Sequence, residues 1–265
     1  MIELRGISVT FNPGTVNAVR ALREIDLRLD EGELVTVVGS NGAGKSTLLN
    51  VVAGVRLPDA GRVSIAGRDV TREPEHRRAA LVGRVFQNPL DGTAATMRVE
   101  ENLAVALRRG QRRGFARGVG EDRRRLFRAA LEPLGMGLEQ RLAAPVGLLS
   151  GGQRQALTLL MATLAQPRVL LLDEHTAALD PAAAAEIEAL TIRLQAEQGL
   201  TTLMVTHNMQ QALRVGSRTL MLHQGEIALD LSGEERRGIT VDVLVRRFQQ
   251  ARHQELVDDE LLLTR

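Results

Sequence analysis

The stretch GSNGAGKST, residues 39–47, directly follows the run LVTVV at residues 34–38. A continuous run of mostly β-branched residues predicts a strand buried on both faces. Residues 46–52 predict a helix that ends at Gly54. Between them, the pattern G-x-x-x-x-G-K-S predicts a loop whose glycines let backbone N–H groups point at a polyphosphate. The residues of this predicted nucleotide site are Gly39, Ser40, Asn41, Gly42, Ala43, Gly44, Lys45, Ser46 and Thr47.

Lys45 is the single lysine of the chain, and the other 33 of the 34 basic residues are arginine. A compact ammonium on a flexible stem fits a tight loop around a phosphate, whereas a wide planar guanidinium does not. We therefore expect Lys45 to reach the β- and γ-phosphates of a nucleotide and the Ser46 hydroxyl to ligate Mg²⁺. The alternative is a fortuitous glycine turn before a helix, which the flanking strand and helix disfavour.

The composition limits the classes of protein that the chain can belong to. At 265 residues and 44% hydrophobic, it can bury one large core. It has no cysteines, no signal-peptide pattern and no apolar run near the ~18 residues of a membrane span, so we expect a soluble, cytoplasmic protein. The net charge is only +2, and tyrosine and tryptophan are absent, so we expect no nucleic acid partner.

The distribution of patterns along the chain predicts an α/β fold. Strands are predicted at 2–11, 25–30, 34–38, 62–66, 169–172 and 201–206, with a hairpin of 218–222 and 226–230. Helices are predicted at 100–109, 121–134, 151–165, from Asp180-Pro181 onward, and at 240–256. We expect a core of residues 1–88 and 168–232, an inserted, mostly helical lobe of 89–167, and a helical C-terminal extension of 233–265.

The run VLLLDE at residues 169–174 predicts a second part of the site. Four buried aliphatic residues place Asp173 at the carboxyl end of a core strand, where α/β sheets bind their ligands. We expect Asp173 to hold Mg²⁺ through its hydration shell, and Glu174 to polarise an attacking water as general base. The alternative, a strand end with solvated carboxylates, is disfavoured by the phosphate loop upstream.

The sequence LSGGQ at residues 149–153 predicts a second anion site. Two glycines that follow a serine at a helix start leave free N–H groups at the positive end of the helix dipole. The residues concerned are Ser150, Gly151, Gly152 and Gln153. A capped helix start explains LSGGQ alone equally well. Two phosphate sites for one nucleotide, however, predict a head-to-tail pair in which one subunit's LSGGQ closes on its partner's ATP.

Taken together, these motifs resemble those of ABC transporter ATP-binding subunits over roughly residues 1–230. They occur in that family's order: GSNGAGKST at 39–47, Gln87 within VFQNP, LSGGQ at 149–153, VLLLDE at 169–174, AALD at 177–180, and His207 ending TLMVTH. The resemblance implies one ATPase domain over 1–232 with a P-loop NTPase core, a RecA-like mixed sheet with an antiparallel portion. It also implies ATP and Mg²⁺ as ligands, ATP hydrolysis, and a head-to-tail dimer around two ATP.

The resemblance also implies roles for single residues. Gln87 senses the γ-phosphate and Mg²⁺, and His207 contacts the γ-phosphate and positions the water; the alternatives are a polar residue at a strand end and a satisfied core histidine. Asp180 lies at the dimer interface, and it also makes a good helix cap. Phe11 is the one aromatic candidate to stack on adenine, or it belongs to the core. We expect His175, which follows Glu174, to have a structural role.

The resemblance implies a motor that drives a separate membrane permease from the inner face of the cell membrane. The 11–15 loop and residues 174–180 are similar to those of a subgroup paired with amino-acid-type import permeases, which adds a solute-binding protein to the expected partners. An exporter motor is one alternative. The other is a non-transport ABC ATPase acting on nucleic acid or ribosomes, which the single domain and the lack of sustained heptads disfavour. The arginine-rich stretch 108–128 is interpreted first as a solvated face, and as a membrane contact in a second hypothesis.

Overall fold

The structure is a computed structural model, and it describes residues 1–111 and 118–250. Within these residues, ten strands form two sheets. In chain order they are β1 (Ile2–Phe11), β2 (Val19–Leu29), β3 (Leu34–Gly39), β4 (Ala60–Ile65), β5 (Arg68–Asp69), β6 (Val82–Val85), β7 (Val169–Asp173), β8 (Thr201–Val205), β9 (Arg218–His223) and β10 (Glu226–Leu231). The smaller sheet is antiparallel, in the order β2-β1-β4-β5. The larger sheet has the order β10-β9-β3-β8-β7-β6, with β10 antiparallel at its edge and the other strands parallel.

Before residue 240, eight helices in the described residues connect and cover these strands. They are α1 (Lys45–Ala53), α2 (Glu75–Arg78), α3 (Val99–Leu107), α4 (Glu121–Leu131), α5 (Gly151–Thr163), α6 (Pro181–Gln198), α7 (Met209–Val215) and α8 (Gly233–Arg236). Three 3₁₀ turns lie at Glu132–Leu134, Leu138–Gln140 and Val146–Leu148, and residues 241–250 are also helical. The predicted α/β fold with a mixed sheet is therefore confirmed. The division into a core and a helical lobe of 89–167 stays a prediction.

The parallel strands of the larger sheet bring their carboxyl ends to one edge. β3, β7 and β8 consist almost entirely of buried residues, because helices or the smaller sheet cover both of their faces. Their register pairs Val205 with Val37 on one side and with Asp173 on the other. The segments that follow these strands therefore begin side by side, which is where α/β sheets bind ligands.

The structure differs from the sequence prediction mainly at element ends. β2 begins at Val19, although a strand was predicted only from residue 25, because the positive φ of Glu24 and shifts in register interrupt the alternation. β2 lies at a sheet edge, where polar side chains are tolerated. α4 ends before Pro133, and a 3₁₀ turn continues it to residue 134. β5, β6, α2 and α7 were not predicted, and residues 251–256 of the predicted final helix lie outside the described residues.

The elements pack around three buried clusters. One joins the smaller sheet to α1 and one face of the larger sheet, and a second joins α3, α4, α5 and α6 to the other face. A third lies under the C-terminal residues, where Leu244 and Phe248 pack with residues of α7 and β9. In the described ranges, we find no helix with the length and apolar character needed to cross a bilayer.

Candidate functional site

Two glycines fix the shape of the loop that follows β3. Gly44 has a backbone φ of +103°, and a Cβ atom there would lie 2.4 Å from the carbonyl oxygen of Ala21. At Gly39, which has a φ of +153°, a Cβ atom would lie 2.3 Å from the carbonyl oxygen of Leu222. Any larger residue at these positions would displace the loop. α1 begins at Lys45, and the first N–H groups of a helix lack partners within it and attract anions.

The Lys45 side chain folds back onto this loop. Its Nζ atom donates to the carbonyl oxygens of Gly39 and Ser40, both at 2.9 Å. Only 7% of the residue is exposed, so these two carbonyls replace most of the water around the ammonium. The ammonium therefore lies inside the loop that the sequence predicts to surround the phosphates.

A cleft opens beside the loop. Its volume of about 330 Å³ is within the usual size range of small-ligand pockets. It is lined by Phe11, Val19, Ala21, Asn41, Gly42, Gly44, Lys45, Ser46, Thr47 and Glu174. Two larger clefts, of about 730 and 1040 Å³, lie elsewhere, and no predicted site residue lines them in the described part of the chain. The smaller cleft is therefore the candidate site, because it contains the loop and charged residues that the sequence predicts to bind a nucleotide.

Phe11 lies at the end of β1, within this cleft. The residue is 39% exposed, and the guanidinium carbon of Arg56 lies 5.2 Å from the centre of its ring. A half-exposed aromatic ring beside a phosphate loop offers a flat apolar surface to a nucleotide base. The position of Phe11 therefore allows the predicted contact with adenine, which stays a prediction.

Three side chains from the segments after β6, β7 and β8 meet beside the cleft. The Glu174 carboxylate accepts from the Gln87 amide at 3.3 Å, and its same oxygen lies 3.3 Å from Nδ1 of His207. Glu174 has a φ of +44°, which is uncommon for a residue with a side chain. Its backbone N–H donates to the carbonyl oxygen of Val205 at 2.9 Å and so fixes this conformation. The structure thus brings together Gln87, Glu174 and His207, which lie far apart in the sequence.

Asp173 ends β7 and faces an arginine that the sequence analysis did not identify. Its carboxylate lies 3.4 Å from a guanidinium nitrogen of Arg84 on β6, and both side chains are largely buried. Burial raises the pKa of Asp173, whereas Arg84 acts in the opposite direction. The guanidinium of Arg84 also lies 4.7 Å from the ring centre of Phe86. The available signal was an arginine inside the apolar run VGRVF, because a charge on a core strand needs a partner.

The predicted Mg²⁺ ligands offer suitable oxygen atoms. Ser46 supplies a hydroxyl, Gln87 an amide oxygen and Asp173 a carboxylate, which is the donor chemistry that Mg²⁺ prefers. Ser46 lies in the first turn of α1, Gln87 lies two residues after β6, and Asp173 ends the neighbouring strand β7. Magnesium in such sites keeps few protein ligands and takes others from phosphates and water, so these three residues fit the ion.

The LSGGQ residues lie outside the cleft. The Ser150 hydroxyl accepts from the N–H of Gln153 at 3.2 Å, and the Gln153 side chain accepts from the N–H of Ser150, so the two form a capping box at the start of α5. Gln153 also binds Arg141 and the carbonyl oxygen of Met136. None of residues 150–153 is among the described residues that line the cleft, while Ser150 and Gly151 are exposed. Within one copy, the structure does not bring this motif to the phosphate loop.

Asp180 and His175 have structural contacts in this chain. The Asp180 carboxylate accepts from the N–H groups of Ala182 and Ala183 at 3.1 and 3.0 Å, as a cap of α6. Its side chain is therefore held in place at the surface. His175 is 1% exposed, and its Nε2 atom lies 3.0 Å from the hydroxyl of Thr191. Burial lowers the pKa of His175 to about 4, which agrees with a structural role.

Comparison with known proteins identifies the family. The family profile described as ABC transporter matches residues 22–177. The chain is 40% identical to the tyrosine transport ATP-binding protein of Clostridioides difficile, over 95% of this chain and 100% of that protein. It is 33% identical to the sulfate/thiosulfate import ATP-binding protein CysA of Pseudomonas aeruginosa, over 100% and 77%. The dimeric ATP-binding cassette MJ0796, solved in a post-hydrolysis state with ADP and Pi, matches with a TM-score of 0.74 and 31% identity, over 90% of this chain and 100% of that one. The chain therefore belongs to the ABC transporter family as an ATP-binding subunit, with the P-loop NTPase fold and the ATPase activity of that family.

Proposed function

We propose that this ATPase drives a separate membrane permease that imports a small solute such as an amino acid. The two relatives named above bear names that refer to tyrosine transport and to sulfate/thiosulfate import. The observation that carries the hydrolytic part of the proposal is the contact of Glu174 with both Gln87 and His207 beside the phosphate loop. We propose that the subunit is located at the inner face of the cell membrane and that the permease and a solute-binding protein are its partners.

The active unit that we propose is a head-to-tail dimer around two ATP. The exposed Ser150 and Gly151 lie at the start of α5 and outside the cleft of their own copy. A helix start with free N–H groups attracts an anion, so a second copy can offer this surface to the γ-phosphate. The related cassette MJ0796 was solved as a dimer. In the same dimer, Asp180 would lie at the interface while it caps α6.

In the proposed reaction, the position of each residue in or beside the cleft determines the part of ATP or water on which it acts. Lys45 exchanges its carbonyl partners for phosphate oxygens, and Phe11 packs against the base. Glu174 accepts a proton from the attacking water, while His207 orients that water and contacts the γ-phosphate. Ser46, Gln87 and Asp173 would hold Mg²⁺, which neutralises phosphate charge when it is bound. Gln87 can sense this state because its amide donates to the catalytic carboxylate at 3.3 Å.

Two substitutions test the hydrolytic site. Lys45→Ala should abolish ATP binding, because it removes the cation of the loop. Glu174→Gln should bind ATP but hydrolyse it about 10² to 10⁴ times more slowly, as for the loss of a general base. Glu197→Gln removes an exposed carboxylate far along α6 and serves as the matched control. Near-normal turnover of either site variant would contradict the assigned roles.

The proposed dimer is tested by size-exclusion chromatography of Glu174→Gln with and without ATP. Because this variant binds ATP without hydrolysing it, the dimer should accumulate at high ATP. Adding Ser150→Glu to the same chain places a carboxylate at the start of α5, where it repels the partner's γ-phosphate, and should prevent this shift while each monomer still binds ATP. A variant that stays monomeric at every ATP concentration would refute an independent head-to-tail dimer.

The cargo and the direction require the whole transporter. We propose to purify the complex from membranes in mild detergent, identify its subunits, and reconstitute it in proteoliposomes with radiolabelled tyrosine or sulfate. An importer should accumulate one solute on the side of the membrane that carries the ATPase, and this accumulation should depend on a solute-binding protein. Movement away from that side identifies an exporter. Salt-sensitive binding to DNA or ribosomes without any permease would indicate the non-transport class.

A further inference from the structure

We infer that Gln211 is a positioning residue for ATP hydrolysis, which sets the spacing between Glu174 and His207. This residue lies on α7 and acts through the chain neighbours of both catalytic candidates. The inference rests on the roles proposed above for Glu174 and His207. It concerns a side chain that no motif of the sequence analysis includes.

The amide of Gln211 joins three segments of the chain. Its Nε2 atom donates to the hydroxyl of Thr176 at 3.0 Å and to the carboxylate of Glu188 at 2.9 Å. Its Oε1 atom accepts from the hydroxyl of Thr206 at 2.7 Å. Gln211 is 6% exposed, and the three partners are buried as well. Since buried polar groups are costly when unpaired, these bonds define one arrangement of the three segments.

The positions of the two threonines give this network its relation to catalysis. Thr176 lies two residues after Glu174, and Thr206 lies directly before His207. The Thr206 hydroxyl also accepts from the N–H of Asn208 at 3.0 Å, so the backbone is held on both sides of the histidine. Gln211 therefore ties the segment after one catalytic candidate to the segment around the other.

A glutamine suits this position because its amide has both a donor and an acceptor end. The Glu188 carboxylate accepts from the guanidinium of Arg214 at 2.7 and 2.8 Å and accepts a further bond from the Gln211 amide. A glutamate at position 211 would place a second carboxylate where the donor now lies 2.9 Å from Glu188. Like charges at this distance repel strongly in a buried site, so the segments would separate.

The test uses Gln211→Glu, Glu188→Gln and the combination of both. In the combined variant, the amide stands on α6 and the carboxylate on α7, so one donor and one acceptor again face each other, and both threonine hydroxyls can donate to the carboxylate. We expect Gln211→Glu to lower kcat by about tenfold or more, since small misplacements of catalytic groups have such effects. The combined variant should recover most of this loss.

ATP affinity separates positioning from general damage. The Gln211 side chain bonds to Thr176, Glu188 and Thr206, and none of these three is among the described residues that line the nucleotide cleft. Kd for a non-hydrolysable ATP analogue should therefore stay within about threefold of the wild-type value while kcat falls. Gln210→Glu adds the same charge at the exposed neighbouring position of α7 and should leave both quantities unchanged. Gln211→Met, which removes the bonds without adding charge, is measured in parallel so that a folding failure of Gln211→Glu leaves the inference testable.

The outcomes distinguish this inference from the proposed function. If Glu174→Gln and His207→Ala hydrolyse ATP normally, the proposed catalytic roles fail whatever Gln211 does. If those two variants are inactive but Gln211→Met has the kcat of the wild type, or if the combined variant shows no recovery over Gln211→Glu, the positioning role is refuted. A fall in kcat at constant Kd, with recovery in the combined variant, supports it.

Discussion

The buried imidazole of His175 predicts a loss of stability between neutral and mildly acidic pH. The ring is 1% exposed, and its bond to Thr191 at 3.0 Å holds it within the core. Burial lowers its pKa from 6.5 to about 4, and the weaker influence of Glu188 acts in the opposite direction. In the folded chain the imidazole therefore stays neutral at a pH at which the unfolded chain already binds a proton.

The sign and size of the effect follow from linkage. As the pH falls below 6.5, the unfolded state takes up the proton first, so the free energy of unfolding decreases until the folded pKa near 4 is reached. A difference of about 2.5 pKa units corresponds to about 3.4 kcal/mol over the whole window. Between pH 7 and pH 5 the expected loss is about 2 kcal/mol, a large share of an ordinary stability.

The substitution that tests this prediction is His175→Met, because methionine has a side chain of similar length that cannot titrate. Thr191 keeps a partner in this variant, because its hydroxyl also donates to the carbonyl oxygen of Ile187 at 2.7 Å. Urea unfolding of both proteins at pH 7 and pH 5, in EDTA and without nucleotide, gives the four free energies required. The wild type should lose about 2 kcal/mol more than the variant on acidification. Equal losses in the two proteins would refute the assignment of a neutral buried imidazole.

Three further predictions concern the nucleotide cleft and the contact between α3 and α4. Gly44→Ala should prevent ATP binding, measured by calorimetry, because the new Cβ atom would lie 2.4 Å from a backbone oxygen of β2. Phe11→Ala should weaken ATP binding by about tenfold and leave kcat unchanged, since stacking contributes about 1–3 kcal/mol per base. Arg124→Ala should lower the free energy of unfolding by about 2 kcal/mol, because it leaves the carboxylate of Glu100, which is 3% exposed, without its closest partner at 2.7 Å.

The arginine-rich stretch shows why charge runs are difficult to interpret from sequence. Arg124 binds both carboxylate oxygens of Glu100, and Arg125 and Arg128 pair with acidic residues of their own helix. Arg124 thus holds α4 against α3, whereas Arg125 and Arg128 neutralise acidic residues along α4. The part of the membrane hypothesis that depends on residues 112–113 lies outside the described residues. The partner of each charge depends on the packing of separate helices, and the charge pattern of the sequence does not encode that packing.

The predictable parts of the site were those that the backbone determines locally. Gly44 and Gly39 are required by conformations that only glycine adopts easily beside close neighbours, so their spacing could be interpreted without tertiary information. The Arg84–Asp173 pair and the Gln211 network depend instead on register between strands and on helix packing. Those contacts join residues that lie from 5 to 89 positions apart, and no periodicity in the sequence encodes them.

Each charged group proposed to act on ATP already has a partner within the chain. Lys45 binds two loop carbonyls, Asp173 faces Arg84, and Glu174 contacts Gln87 and His207. Nucleotide binding therefore exchanges hydrogen bonds, and an exchanged bond contributes on the order of 1 kcal/mol instead of the 4–6 kcal/mol of an isolated one. At the exposed start of α5, the side chains of Ser150 and Gln153 already accept from each other's backbone N–H groups, whereas the N–H groups of Gly151 and Gly152 lie in the first turn, where a helix supplies no partner for them. Since a second copy supplies these N–H groups in the proposed dimer, closure of the dimer should add to the affinity for ATP that Lys45 and the phosphate loop of the single subunit already provide.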